Sequence, residues 1–310
     1  MIIRWTVDIA WYLWRNKVNN LYVGQAFPTG LISLVLNKLF GLRYCLYVMG
    51  EEITTTAKLK GVHKFRAISI QMCVRNAAQI ITISQFSKDT LVKLGVNTDL
   101  IQMINPPIDR EVYKLGIEVS SIRQKYHIDA EKIILTVGRL TKRKGHAMVI
   151  KSLPAVIEKY PDLIYLIVGD GNERENLLKL IRDMDLVDHV RLLGSVNSEE
   201  IPQFYSLCDI FVMPNRTLMN GDTEGYGLVF LEANACGKPV IGGLAGGVPD
   251  AIMDGKTGFL LNGNNKNEIA EKIFHLLSHP ELAKQLGQYG HDRVAKMPSW
   301  KDIARRIDQL

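Results

Sequence analysis

The sequence is poor in the features that mark several protein classes. Only four cysteines occur in 310 residues, Cys45, Cys73, Cys208 and Cys236, with no Cys-x-x-Cys spacing and each in or beside an apolar run. That excludes a disulfide scaffold or a thiolate metal centre and points to buried thiols in a reducing compartment. No apolar run has the roughly 20 residues of a membrane span. The first fourteen residues come nearest, but Asp8 interrupts them. Trp5, Ile9, Tyr12 and Leu13 recur there at helical spacing, so the segment reads as a helix with one buried face rather than a leader or an anchor. There is no internal repeat, no low-complexity tract and no nucleic-acid motif. A pI near 9.0 is the only pointer toward nucleic acid.

What is present describes a globular chain. Hydrophobic residues make up 47% and charged residues 23%, and the length accommodates two ordinary α/β domains. The net charge of +6 is uneven. Residues 1–112 carry 13 Lys and Arg against 7 Asp and Glu, whereas residues 113–310 are balanced. An anionic partner would therefore meet the first third: a lipid surface, a phosphorylated acceptor or nucleic acid. Neutrality of the remainder argues against nucleic acid. Lys58, Lys60, Lys64 and Arg66, with His63 and Phe65 interleaved, read either as a solvated helix face or as a patch resting on an anionic membrane.

From Leu21 onward, short β-branched runs alternate with longer helical patterns, the sequence form of βαβ units and parallel sheets. Strands are predicted near 21–24, 44–49, 79–84 and 100–104. A second series is predicted at 133–137, 164–168, 189–193, 210–213, 239–241 and 258–261. Asn105-Pro106-Pro107 stops regular structure between the two series. The simplest account is two Rossmann-like domains, 1–112 and 113–298, with Ser299 capping a final helix over 299–310 that packs back on the first domain.

Several segments could carry chemistry. The strand 133–137 runs into Gly138-Arg139, followed by Lys142-Arg143-Lys144-Gly145. Ligands of open α/β sheets gather at the carboxyl ends of strands, so Arg139 and Lys144 are candidates for holding a diphosphate; a solvated basic loop is the alternative. Gly169-Asp170-Gly171 is half of a dinucleotide fingerprint and implies only a tight turn. The strongest signal is Thr223-Glu224-Gly225-Tyr226-Gly227-Leu228-Val229-Phe230-Leu231-Glu232. A helix opening here would aim the N–H groups of Gly227, Leu228 and Val229 at an anion. Glu232, two turns on, would accept from a ribose diol, because a carboxylate in an apolar helix is costly without a partner. Gly246-Gly247-Val248-Pro249 adds a further turn, phosphate-binding or structural.

Taken together, Gly138-Arg139, Lys144-Gly145, Gly169-Asp170-Gly171, the two glutamates in E-x7-E spacing, Ala235-Cys236-Gly237-Lys238-Pro239-Val240 and Gly246-Gly247-Val248-Pro249 resemble family 4 retaining glycosyltransferases across residues 133–261. Met213-Pro214-Asn215-Arg216 with the loop to Glu224 is similar to the phosphatidylinositol mannosyltransferase branch. The resemblance implies an α/β GT-B fold whose second domain holds a sugar nucleotide and whose first domain, on the acceptor side, is incomplete. Arg139 and Lys144 would bind the diphosphate, Glu232 the ribose, and Glu224 the hydroxyls of the donor sugar. It implies metal-independent, cofactor-free, front-face transfer of a hexosyl group from a GDP- or UDP-sugar to a lipid-linked or saccharide acceptor. The setting would be cytoplasmic, peripheral on the inner face of the plasma membrane.

Two departures stand beside it. Met49, in Met49-Gly50-Glu51-Glu52, occupies the place where the family carries a histidine facing the donor sugar. A thioether cannot supply that polar contact, which leaves Glu51 or Glu52 as substitutes. The family also begins with further strand and helix units, so a truncated remnant that binds nucleotide without turnover is the competing expectation, its shortened sheet left with an exposed edge.

Overall fold

The computed structural model describes residues 2–18, 20–54 and 62–309. The chain forms two compact units, one of residues 1–106 with 219–225 and 305–310, the other of residues 107–218 and 226–304. Sequence had drawn the division after residue 112.

The first unit runs α1 (Ile2–Arg15), β1 (Asn20–Val23), α2 (Thr29–Phe40), β2 (Arg43–Val48), α3 (Glu51–Thr54), α4 (Val62–Asn76), β3 (Gln79–Thr82), α5 (Gln85–Lys93) and β4 (Ile101–Met103). Its strands pair in parallel in the order β1-β2-β3-β4. Tyr44, Leu46, Val48, Ile70, Val74 and Ile80 make its core. The Tyr44 hydroxyl donates to the Cys73 carbonyl at 2.6 Å. Ser84 caps α5 by accepting from the Ser87 N–H, which satisfies one orphan donor of the first turn.

The buried face expected of the first helix is only half formed. Leu13 is buried and Ile9 half-buried, but Trp5 and Tyr12 are exposed, together with Trp11 and Trp14. Helical spacing identified the stripe without fixing which side faces the core.

The second unit contains α6 (Ser120–Lys125), β5 (Lys132–Val137), α7 (His146–Ile157), β6 (Leu163–Val168), α8 (Arg174–Asp183), β7 (Val190–Gly194), α9 (Ile201–Leu207) and β8 (Ile210–Met213). It continues with α10 (Leu228–Ala235), β9 (Val240–Gly243), α11 (Val248–Ala251), β10 (Gly258–Leu261), α12 (Lys266–Ser278) and α13 (Pro280–Ala295). The sheet is parallel in the order β10-β9-β8-β5-β6-β7. Every residue of β6 and β8 is buried, as continuous apolar strands must be when helices cover both faces. Each large side chain so buried contributes roughly 1.5–3 kcal/mol relative to leaving it in water.

All ten predicted strands form, with bounds moved by a residue or two. At the ninth, Pro239 has no N–H to give the ladder, so the strand proper starts at Val240, and the Pro239 carbonyl accepts from the Phe211 N–H at 3.1 Å. The last helix, α14 (Trp300–Asp308), opens with a reciprocal cap. The Asp302 N–H donates to Ser299 Oγ and the Ser299 N–H donates to Asp302 Oδ2. Within the first unit, the Tyr22 hydroxyl donates to the Ile307 carbonyl at 3.1 Å.

Candidate functional site

The strand order of the second unit reverses between β5 and β8: the chain runs outward from β5 through β6 to β7 on one side and from β8 through β9 to β10 on the other. This is the switch point where ligands of open α/β sheets bind, at the carboxyl ends of the strands.

The turn after β5 carries the first two candidates. Arg139 is exposed, whereas Lys144 is 8% exposed. The turn is over-determined by its own backbone. The Arg139 carbonyl accepts from the Thr141 N–H at 2.9 Å and from His146 Nε2 at 3.2 Å. Gly145, at φ 80°, allows the turn to close: a Cβ there would lie 2.3 Å from the Pro214 carbonyl oxygen. Arg216, after β8, braces the same turn. Its Nε donates to the Lys142 carbonyl at 2.9 Å and its N–H to the Arg143 carbonyl. Burial pushes the His146 imidazole down to about 4, the field of Lys144 acting in the same direction, so it sits neutral at pH 7 with its Nε2 proton on the Arg139 carbonyl.

Helix α10 supplies the rest. Gly227 caps it in the left-handed region, and the Phe230 N–H is the first to find a carbonyl, that of Gly227. The N–H groups of Gly227, Leu228 and Val229 donate to no carbonyl among the described residues, and so keep the orphan donors that make a helix start attractive to an anion. Glu232 sits on the second turn of the helix rather than two turns on. It is half-buried, and burial raises its carboxyl above the usual range, opposed by a hydrogen bond from Tyr205 and by the charge of Lys144. Tyr205 Oη donates to Glu232 Oε2 at 2.7 Å. The structure thus brings a buried cation, a run of unspent N–H donors and an acceptor carboxylate together around one sheet edge.

Glu224 is placed differently. Its segment, 219–225, is grouped with the first unit. Gly225 packs there against the loop after β2, where an added Cβ would lie 2.3 Å from the Met49 carbonyl oxygen. The Met49 side chain is exposed and Glu52 half-buried. Lys58 and Lys60 of the expected basic patch lie outside the described residues.

The cysteines are all free, three buried and Cys45 half-buried, and burial pushes their thiols up to about 11 or 12. The one Asp-x-Asp of the chain, Asp183-Met184-Asp185, lies where α8 ends and the chain turns toward β7. That is the opposite edge of the sheet from the candidate site. Tyr205 and His146 are candidate-site residues that the sequence did not flag, and Arg216 entered there only within the stretch Met213-Pro214-Asn215-Arg216, with no role given.

Known proteins resemble this chain in sequence and in fold. Residues 118–293 match the model of the family Glycosyl transferases group 1. A Mycolicibacterium smegmatis protein, GDP-mannose-dependent alpha-(1-6)-phosphatidylinositol monomannoside mannosyltransferase, is 27% identical over 299 residues, covering 96% of this chain and 77% of that protein. The spore coat protein SA of Bacillus subtilis is 29% identical over 257 residues, 76% of this chain and 65% of its own. Among solved structures, Anabaena HepE in complex with UDP superposes with a TM-score of 0.84 at 20% identity, covering 98% of this chain and 82% of that one. The sucrose-phosphate synthase of Thermosynechococcus elongatus gives 0.84 at 22% identity, covering 100% and 77%. The architecture is GT-B, and the chain belongs to the group 1 glycosyl transferases.

Proposed function

We propose that the chain transfers a hexosyl group from a GDP- or UDP-sugar to a lipid-linked or saccharide acceptor, with retention and without a metal or cofactor. The observation that carries this reading is the start of α10, with its unspent N–H donors, beside buried Lys144 and with Glu232 on the following turn. Lys144, Arg139 and the N–H groups of Gly227, Leu228 and Val229 bind the diphosphate and stabilise the charge it gains on leaving. Glu232 accepts from the ribose diol. Glu224 holds donor-sugar hydroxyls. As the bond from the sugar to the phosphate oxygen breaks, the acceptor oxygen bonds to the same carbon on the same face and gives its proton to the departing diphosphate. The GDP-mannose-dependent relative and the neighbour solved with UDP and with UDP-glucose make GDP-mannose and UDP-glucose the first donors to try. Incubation with each and a panel of polyprenyl, inositol-lipid and oligosaccharide acceptors should release nucleoside diphosphate with one of them. Tight binding with no release from any donor, even by hydrolysis, would instead support the non-catalytic reading, which Met49 in the histidine place favours.

The reading extends to a cytoplasmic enzyme resting on an anionic membrane through its first unit. Trp5, Trp11 and Trp14 are exposed on α1. Beside them a hollow of 1380 Å³ is lined by Trp11, Trp14 and Phe40 with Arg15, Lys17 and Arg43, the aromatic and cationic pairing that suits a lipid interface. No described helix is long and apolar enough to cross a membrane. Vesicles containing phosphatidylinositol should sediment the protein at low salt and release it at high salt. No sedimentation at low salt would remove the membrane from the account.

A further inference from the structure

We propose that Tyr205 is a positioning residue, whose hydroxyl orients the Glu232 carboxylate for the nucleotide ribose. The inference rests on the assignment of Glu232 to the ribose and adds to it the group that makes the carboxylate a directed acceptor.

Tyr205 is fully buried on α9, and its ring is fixed by aromatic neighbours. Tyr113 meets it edge-on at 5.8 Å between centroids, and Phe211 of β8 packs at 5.5 Å. The backbone is tied as well, since the Cys208 thiol donates to the Tyr205 carbonyl. With ring and backbone both held, the hydroxyl has one place to point, and its acceptor there is Glu232 Oε2 at 2.7 Å. Oε1 accepts from no protein group among the described residues.

The consequence is chemical. A phenol this deeply buried, next to a carboxylate, holds its proton far above the ordinary tyrosine range, so Tyr205 is a fixed donor throughout the working pH range. It does two things to Glu232. It pins one oxygen so that the other presents a defined lone pair to the diol, removing rotamers that would otherwise be lost on binding. It also favours the ionised carboxylate against the desolvation that pushes the other way. A phenylalanine would fill the same space, so packing alone gives no reason for the hydroxyl.

The test uses the intact chain, GDP and UDP as probes, and their 2′,3′-dideoxy counterparts, with binding measured well below the melting temperature of every variant. Tyr205→Phe should weaken binding of the preferred diphosphate by about 2- to 10-fold, the net contribution of one ordinary intramolecular hydrogen bond, because the hydroxyl acts through Glu232 rather than on the nucleotide itself. The penalty should vanish with the dideoxy probe, which has no diol for Glu232 to hold. Loss of the donor also raises the Glu232 pKa further, so the acidic fall in binding should set in at higher pH than in the parent. If Tyr205→Phe folds poorly, 3-fluorotyrosine at position 205 keeps the ring and makes the phenol a stronger donor, and the acidic fall should move to lower pH. Equal weakening of GDP and dideoxy-GDP, or an unmoved pH profile, would reduce Tyr205 to a packing residue and overturn the proposal. If Glu232→Ala weakens binding while Tyr205→Phe does not, the positioning role fails and the ribose assignment survives. If Glu232→Ala itself changes nothing, the ribose assignment fails.

Discussion

Lys144→Ala should lower turnover by about 10²- to 10³-fold, the loss typical when one preorganised stabiliser of developing charge is removed from an active site. Lys144 is 8% exposed and follows a turn whose carbonyls are held by Arg216 and His146. Its position is therefore set before any nucleotide arrives, and no reorganisation is needed as charge moves onto the diphosphate. Low exposure also limits screening by water and salt. Lys144→Met separates charge from packing, because it keeps an apolar stem of similar reach. It should retain the melting temperature of the parent and still show the kinetic loss. Arg139→Ala should cost less, since an exposed guanidinium is partly solvated already. Steady-state kinetics with the preferred donor decide the matter: a fall in kcat with little change in KM marks an interaction made mainly in the transition state.

Glu232→Ala should weaken nucleoside diphosphate binding by about 10- to 100-fold, as expected for loss of one or two hydrogen bonds to a buried charged acceptor. The pH dependence gives the same assignment an independent reading. Burial raises the Glu232 carboxyl above the ordinary glutamate range, with Tyr205 and Lys144 acting in opposition. The ionised form is acceptor-only and accepts charge-assisted hydrogen bonds from the diol, whereas protonation turns one oxygen into a donor and removes the charge. Affinity should therefore be full above that raised pKa and fall as pH drops through it, at a pH higher than an ordinary surface glutamate would show. Glu232→Gln keeps the shape and removes the titration, so its weaker binding should be flat across the same window. Calorimetric titration from pH 4 to 8 checks both statements.

Much of this was legible in the sequence for identifiable reasons. The strands of the second unit are continuous apolar runs because a parallel sheet is buried on both faces, and β6 (Leu163–Val168) is buried at every residue. Ser299 announced the last helix through its own capping chemistry. Glu232 stood out because a carboxylate in an otherwise apolar helix needs a reason. What the sequence hid were contacts between residues remote along the chain. Tyr205 is 27 residues from Glu232, and an aromatic in an apolar helix reads as core. The hydrogen bond from Arg216 to the Lys142 carbonyl spans 74 residues. Gly225 looked like part of the frame around Glu232, yet its close approach is to the Met49 carbonyl in the first unit. The face of α1 was misjudged because periodicity defines a stripe but not its direction, which depends on what packs against it.

The most direct measurement of the central claim, that the second unit is a sugar-nucleotide site, is calorimetric titration of the full chain with GDP, UDP, GDP-mannose and UDP-glucose at neutral pH. The account predicts saturable binding of one nucleotide per chain, with a clear preference for one base and a marked loss in Glu232→Ala. Absence of saturable binding by all four, or binding that Glu232→Ala leaves untouched, would contradict it.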